Sequence, residues 1–167
     1  PGLLVVHLSE SATFRDVVWA TRIDPNGVVL DPSGIRLSPT NVDASDPDVV
    51  WAGSQWVVVW SEPSGIMVTR LAADGTVLDA TPQVAVVAAF PLPSRPRVNR
   101  GPNGALLSWL RQGVETRTLS AQGVLGAPQQ WIADTSINHD IAWNGSAFLL
   151  TNTIRNSIVS FRTLVQR

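Results

Sequence analysis

Three aspartates in the segment NVDASDPD (41–48) are the first group of residues that could do chemistry. Asp43, Asp46 and Asp48 offer carboxylate oxygens, which are the ligands that Ca²⁺ prefers. They lack the D-x-[DN]-x-[DN]-G order and the closing glutamate of a calcium loop, and Asp48 has a counterpart, Asp140, in a similar segment further along. The pattern favours a turn or capping role; calcium stays as an alternative, and no other cofactor is expected.

Hydrolytic chemistry has few candidate residues. His7 and His139 are the only histidines, and no G-x-S-x-G motif supplies a nucleophile for either of them. Glycoside hydrolysis needs two positioned carboxylates, and the spacing of the three glutamates, Glu10, Glu62 and Glu115, identifies no such pair. We therefore predict that the chain is not an enzyme and assign no catalytic residue.

Aromatic residues could bind sugars by stacking. Most of the seven tryptophans fall inside apolar runs, and Trp51 and Trp143 occupy matching places in two similar segments, which indicates packing. Trp56 and Trp131 stand slightly apart from these runs. They are the candidate glycan-stacking residues.

The composition excludes several classes of function. The net charge is −1 and the charges are scattered, so no basic stripe for nucleic acid is present. No apolar run approaches the roughly 20 residues of a membrane span. The chain has no cysteine, which excludes disulfides and thiol chemistry and is compatible with export.

Stepping along the chain by 48 residues brings the same pattern back. Glycines recur after short polar stretches at this spacing, and arginines recur upstream of them: Gly27, Gly75 and Gly123, with Arg22, Arg70, Arg117 and Arg162. A hairpin turn that needs a left-handed residue explains the glycines. The arginines are expected to pair with recurrent aspartates or to cap strand carbonyls between units; a ring of arginines around an anionic ligand is the alternative.

Each unit reads as four short strands bounded by Gly, Pro, Asn and Asp. Antiparallel four-stranded units of this length are typical of β-propeller blades, and a strand such as WVVVW (56–60), apolar on both faces, favours stacked sheets. We predict one all-β, propeller-like segment over 1–167 with about 3.5 blades and strands in groups of three, four, four and three. Full repeats cover about 46–94 and 95–137, and partial blades cover 1–45 and 138–167. A β-sandwich is the alternative.

The segments DPDVVWAGSQWVVVW (46–60) and DPNGVVLDPSGIRLSP (24–39) resemble the tandem repeats AWNGSQYLVVW…RV…DG.VLDP.GI of exported proteins in myxobacteria and other GC-rich bacteria. The resemblance extends over essentially the whole chain and is weakest in the third unit. It implies a β-propeller on a secreted, lipoprotein or surface protein, and it implies no shared catalytic residue. The expected location is extracellular, at the cell surface or in the periplasm of a bacterium.

The clearest break in the repeat is the segment AAFPLPSRP (88–96), which replaces a polar linker in the preceding unit. Exposed apolar loops often mark a contact with another chain; the alternative is a plug over the end of the ring. The candidate partner-binding residues are Phe90, Pro91, Leu92, Pro93 and Arg95.

These observations lead to a non-catalytic, exported scaffold as the predicted function. Its partner would be another protein, the remainder of a longer propeller or a second copy. A lectin-like module that binds a glycan is the second hypothesis, and a fragment of a secreted hydrolase is the third. Neither nucleic acid nor a membrane span is expected.

Overall fold

The computed structural model describes residues 2–132, 136–154 and 160–164. This part of the chain contains only strands, turns and loops, without a helix, so the all-β prediction is confirmed; none of its segments is a helix able to cross a membrane. Its strands are β1 (Leu3–Glu10), β2 (Asp16–Ile23), β3 (Ile35–Arg36), β4 (Ser45–Trp51), β5 (Trp56–Glu62), β6 (Gly65–Leu71), β7 (Gln83–Val87), β8 (Ser94–Gly101), β9 (Gly104–Leu110), β10 (Val114–Ser120), β11 (Gln129–Ile132), β12 (Ser136–Trp143), β13 (Phe148–Ile154) and β14 (Ser160–Leu164).

The described strands form four antiparallel sheets in which sequence neighbours pair. Sheet 1 holds β1–β3, sheet 2 holds β4–β7, sheet 3 holds β8–β11 and sheet 4 holds β12–β14. The grouping of three, four, four and three matches the expected strand groups. The extent of each repeat stays a prediction.

The sheets stack face to face in chain order because their central strands are apolar on both sides. In β5, Val58 and Trp60 pack into a cluster with sheet 1, while Val57 and Val59 pack into a cluster with sheet 3. Phe148 on sheet 4 closes a third cluster against sheet 3. The first strands of successive sheets also touch, β4 against β8 and β8 against β12. Two sheets are thus covered on both faces.

A bulge interrupts the first strand of sheets 2 and 3 at the same place. The register shifts between Ser45 and Asp48 in β4 and between Ser94 and Arg97 in β8. The second residue of each bulge has a left-handed backbone, with φ of 51° at Asp46 and 53° at Arg95. Both are followed by proline, so the two bulges have the same local backbone.

Candidate functional site

The recurrent arginines of sheets 1 and 2 tie each sheet to the next. Arg22 forms a bidentate ion pair with Asp31 in the loop between β2 and β3, its Nη2 lying 2.7 Å from Oδ1 and its Nε 2.8 Å from Oδ2. Its Nη1 donates at 3.4 Å to the carbonyl of Ala73 in sheet 2. There the guanidinium covers Gly75, where an added Cβ would lie 2.7 Å from Arg22 Nε. The expected pairing with an aspartate is confirmed.

Arg70 repeats this arrangement one sheet further along. It pairs with Asp79 at 2.7 Å, donates to the carbonyl of Ala121 and covers Gly123. The turn glycines of sheets 1, 2 and 3 share a φ between 85° and 88°, yet a Cβ on Gly27 would meet nothing within 4 Å. Each glycine therefore supplies a left-handed turn, and two of them also make room for an arginine.

Arg117 departs from this pattern because it is displaced by one residue in register. Arg70 lies opposite Val57, on the face towards the next sheet, whereas Arg117 lies opposite Leu107, on the face towards the preceding sheet. Arg117 bonds the carbonyl of Gly126 through Nε and that of Ala85 through Nη1, the latter at 2.7 Å. This is the expected capping of carbonyls between sheets.

The arginines offer little support for a ring that binds an anion. Aspartates already neutralise Arg22 and Arg70. The hydrogen bonds that Arg22 donates to Asp31 hold the pKa of this carboxyl below its ordinary value. The backbone of Arg162 lies opposite Leu150, and its side chain falls outside the described residues.

Trp56 is a buried packing residue, so the prediction that it stacks on a glycan is wrong. Its side chain is 8% exposed and packs edge-on against Trp51, with ring centroids 5.0 Å apart. It begins β5, a strand that is buried on both faces. Trp143 also packs against a ring, that of Phe148, in a tilted arrangement with ring centroids 4.6 Å apart.

Trp131 lies on the surface of the outermost strand of sheet 3, with 37% of the residue exposed. Its indole N–H donates to Thr116 Oγ1 at 2.6 Å, which fixes the ring. Phe148, Gln129 and Trp131 line a small cavity of about 110 Å³ at the contact of sheets 3 and 4. Of the two candidate stacking residues, Trp131 alone is placed to meet a ligand.

The aspartates of 41–48 have protein partners. Asp48 accepts hydrogen bonds from the N–H groups of Val49 and, across the sheets, Val98, while burial raises its pKa. Asp43 accepts from the N–H of Asp16. Among the described residues no three acidic or histidine side chains gather as a metal would need. The turn and capping role suits these contacts.

A serine and a histidine that the sequence did not connect meet between sheets 3 and 4. Ser108 Oγ lies 2.8 Å from His139 Nε2. Burial, followed by the charge of Arg97, lowers the pKa of His139 to about 4, so the ring is neutral at pH 7. Nδ1 has no partner in the described part of the chain, and Ser108 is buried. Without an orienting acid or access for a substrate, the pair is a packing contact.

Two of the three glutamates hold buried tryptophans. Glu62 accepts the indole N–H of Trp60 at 2.8 Å, and Glu115 accepts that of Trp109 at 2.7 Å while pairing with Arg111 at 2.9 Å. The two pairs stabilise equivalent places in sheets 2 and 3. These carboxylates are already engaged, so neither is presented to a substrate.

The loop after β7 exposes its apolar side chains. Phe90 is 98% exposed and Leu92 is 62% exposed, whereas Pro93 is buried. Arg95 Nη1 donates to the carbonyl of Ile137 at 2.7 Å, which ties the end of the loop to sheet 4. The loop stands out from the molecule on fixed ends, an arrangement that favours a contact surface over a plug.

Phe14 projects from the same end of the molecule. Arg22, near the end of β2, reaches the turn that follows β6, so β2 and β6 finish at the same end of the molecule. Both strands therefore start at the other end. Phe14, in the turn before β2, is 84% exposed there, and Val87 pairs with Gly65 at the start of β6, just before the loop. We call Phe14, Phe90 and Leu92 the apolar end.

An open groove of about 720 Å³ runs beside the loop, between sheets 3 and 4. Leu92, Leu110 and Ile137 supply apolar walls, and Arg95 and Arg111 supply cations. The apolar end and this groove together form the candidate interaction site.

No family model and no curated protein matches the chain. A solved structure described as a glycoside hydrolase is similar in fold, with a TM-score of 0.53 over 96% of this chain at 8% identity. This chain spans 41% of that chain. A likeness at this identity shows a shared fold alone.

Proposed function

We propose that the chain is a β-propeller segment that serves as a non-catalytic, exported scaffold and binds a protein through the apolar end. The propeller is supported by the stacking of antiparallel sheets in chain order, with their first strands in contact. In a two-layer sandwich each sheet would be covered on one face, whereas sheets 2 and 3 are covered on both.

The exposure of Phe90 is the observation that carries the binding role. Phe90 is 98% exposed, and the loop that carries it is anchored by the buried Pro93 three residues later. Aromatic anchors of this kind dominate protein interfaces. Phe14 and Leu92 are further exposed apolar side chains at the same end.

The test uses two substitutions in the apolar end and one at the opposite end. A partner isolated with the full chain is identified, purified and titrated against wild type, Phe90→Ser and Leu92→Ser. We expect each substitution to weaken binding about 10- to 100-fold, because truncation of a central anchor costs about 1–3 kcal/mol. Val28→Ser, which removes an exposed apolar side chain from the turn after β2, is the matched control and should leave affinity unchanged.

Unchanged affinity in both apolar-end variants would refute the proposal. Hydrolysis of any glycoside by the purified chain would refute its non-catalytic part.

Glycan binding is the second candidate, and the exposed, fixed ring of Trp131 favours it. A glycan array distinguishes the two candidates. Saturable binding of a sugar, competing with the protein partner or occurring without one, would move the assignment to a lectin.

A further inference from the structure

Two arginines, Arg95 and Arg111, line the groove beside the apolar end. None of the described residues that line it is an aspartate or a glutamate. Arg111 is already paired with Glu115. Arg95 bonds only a carbonyl oxygen, that of Ile137, and forms no ion pair with any described carboxylate. Within the part of the chain that the structure describes, Arg95 is therefore the groove cation that has no carboxylate partner.

The same backbone position in the preceding sheet carries the opposite charge. Asp46-Pro47-Asp48 in β4 and Arg95-Pro96-Arg97 in β8 form equivalent bulges, with left-handed residues at φ 51° and 53°. Since aspartate and arginine both fit this backbone, the fold does not require arginine there. The reversal of charge stands next to the apolar loop that also departs from the repeat.

The charges of Arg95 and Arg97 act on His139, which lies between sheets 3 and 4. Burial is the main cause of the lowered pKa of His139, and the charges of Arg97 and Arg95 lower it further against the opposing effect of Asp140. Arg95 thus lies close enough to the contact of sheets 3 and 4 for its charge to act there.

We propose that this groove binds an acidic peptide segment of the protein partner, with its apolar side chains on Phe90 and Leu92 and a carboxylate on Arg95. The planar fork of arginine suits a carboxylate, and complementary charge steers and orients an apolar contact. This inference rests on the proposed function, since it names the chemistry of the partner at the same site.

The test uses a fluorescein-labelled, acetylated and amidated short peptide of alternating glutamate and leucine. Matched peptides carry glutamine or lysine in place of glutamate, and a single-stranded oligonucleotide serves as a second anionic probe. Fluorescence anisotropy with the full chain should show binding of the glutamate peptide that weakens with added salt, at least about tenfold tighter than that of the lysine peptide.

Arg95→Asp gives the decisive variant, because the backbone already holds aspartate at the equivalent Asp46. It should weaken binding of the glutamate peptide about tenfold or more and bring the lysine peptide closer to it. Asp46→Arg is the matched control at the bulge outside the groove and should leave the affinity of the glutamate peptide unchanged. Circular dichroism melts of both variants establish that they fold.

The outcomes separate this inference from the proposed function. Equal binding of the three peptides, lost in Phe90→Ser, would overturn the acidic partner and keep the apolar end. Preference for the oligonucleotide, or unchanged binding in Arg95→Asp, would overturn the inference. If binding of the glutamate peptide is unchanged in Phe90→Ser and Leu92→Ser but lost in Arg95→Asp, the proposed apolar anchors are overturned.

Discussion

Substitution of the three turn glycines by asparagine measures how far the arginines tie the sheets together. Asparagine tolerates a left-handed backbone better than other residues with a side chain, and the three φ angles differ by at most 3°. The backbone cost, roughly 1 kcal/mol, is therefore shared by all three variants. Their surroundings differ: Gly27 faces open space, whereas Gly75 and Gly123 lie under Arg22 and Arg70.

The difference between the variants gives the strength of the contact. A Cβ at Gly75 forces the Arg22 guanidinium away from the Ala73 carbonyl and strains its pair with Asp31. Hydrogen bonds to charged groups contribute about 1.5–3 kcal/mol, and partial solvent exposure of the pair reduces this. We expect Gly75→Asn to cost about 1–2 kcal/mol more than Gly27→Asn. Gly123→Asn should cost more still, because Arg70 lies closer and its pair is more buried.

Urea unfolding of the three variants provides the free energies, and a double-mutant cycle isolates the arginine. If the guanidinium is what the asparagine displaces, Gly123→Asn should cost less in an Arg70→Ala background than in wild type, with a coupling of about 1 kcal/mol or more. Equal destabilisation in all three variants, or zero coupling, would show that the glycines serve the turn alone.

Two further predictions concern buried polar groups. His139 has a folded pKa of about 4 against an unfolded value of 6.5. The unfolded state therefore binds the proton first, and the free energy of unfolding falls by about 3 kcal/mol in total as the pH drops from about 6.5 to 4. Urea unfolding at several pH values should lose this slope in His139→Gln, whereas the opposite contribution of Asp48, whose pKa is raised, is present in both proteins. Glu115→Ala leaves the Trp109 indole N–H buried without an acceptor and Arg111 unpaired, so it should lower the free energy of unfolding by about 2–3 kcal/mol in the same assay. Glu115→Gln keeps an acceptor and should lower it less. Equal losses in the two variants would show that the hydrogen bond to the indole contributes little.

The local features of this fold could be predicted from the sequence because they depend on short-range chemistry. The spacing of Gly27, Gly75 and Gly123 predicted left-handed turns, and the structure has them. The expected aspartate partners of Arg22 and Arg70 stand nine residues downstream, in the loop that follows the arginine's own strand. The geometry of a turn and the pairing of side chains across one hairpin both depend on residues that are close together in the sequence.

Features that depend on sheet stacking were not predictable in the same way. Ser108 and His139 are 31 residues apart and meet because β12 lies against β9. Trp56 was predicted to be a surface residue because it stands slightly apart from the other tryptophans, yet both faces of β5 are covered by neighbouring sheets. A single repeat unit does not reveal which residues its neighbours will bury.

The displacement of Arg117 shows how one change in the repeat requires another. Nine residues after Arg22 and Arg70 stands an aspartate, but nine residues after Arg117 stands Gly126. An arginine facing sheet 4 at this place would lack the aspartate partner that Arg22 and Arg70 have. Moved by one residue, Arg117 turns to sheet 2 and bonds two carbonyl oxygens instead. Thr118 then faces sheet 4, so the contact of sheets 3 and 4 depends on the apolar cluster around Phe148, and the arginine tie that joins sheets 1, 2 and 3 ends there.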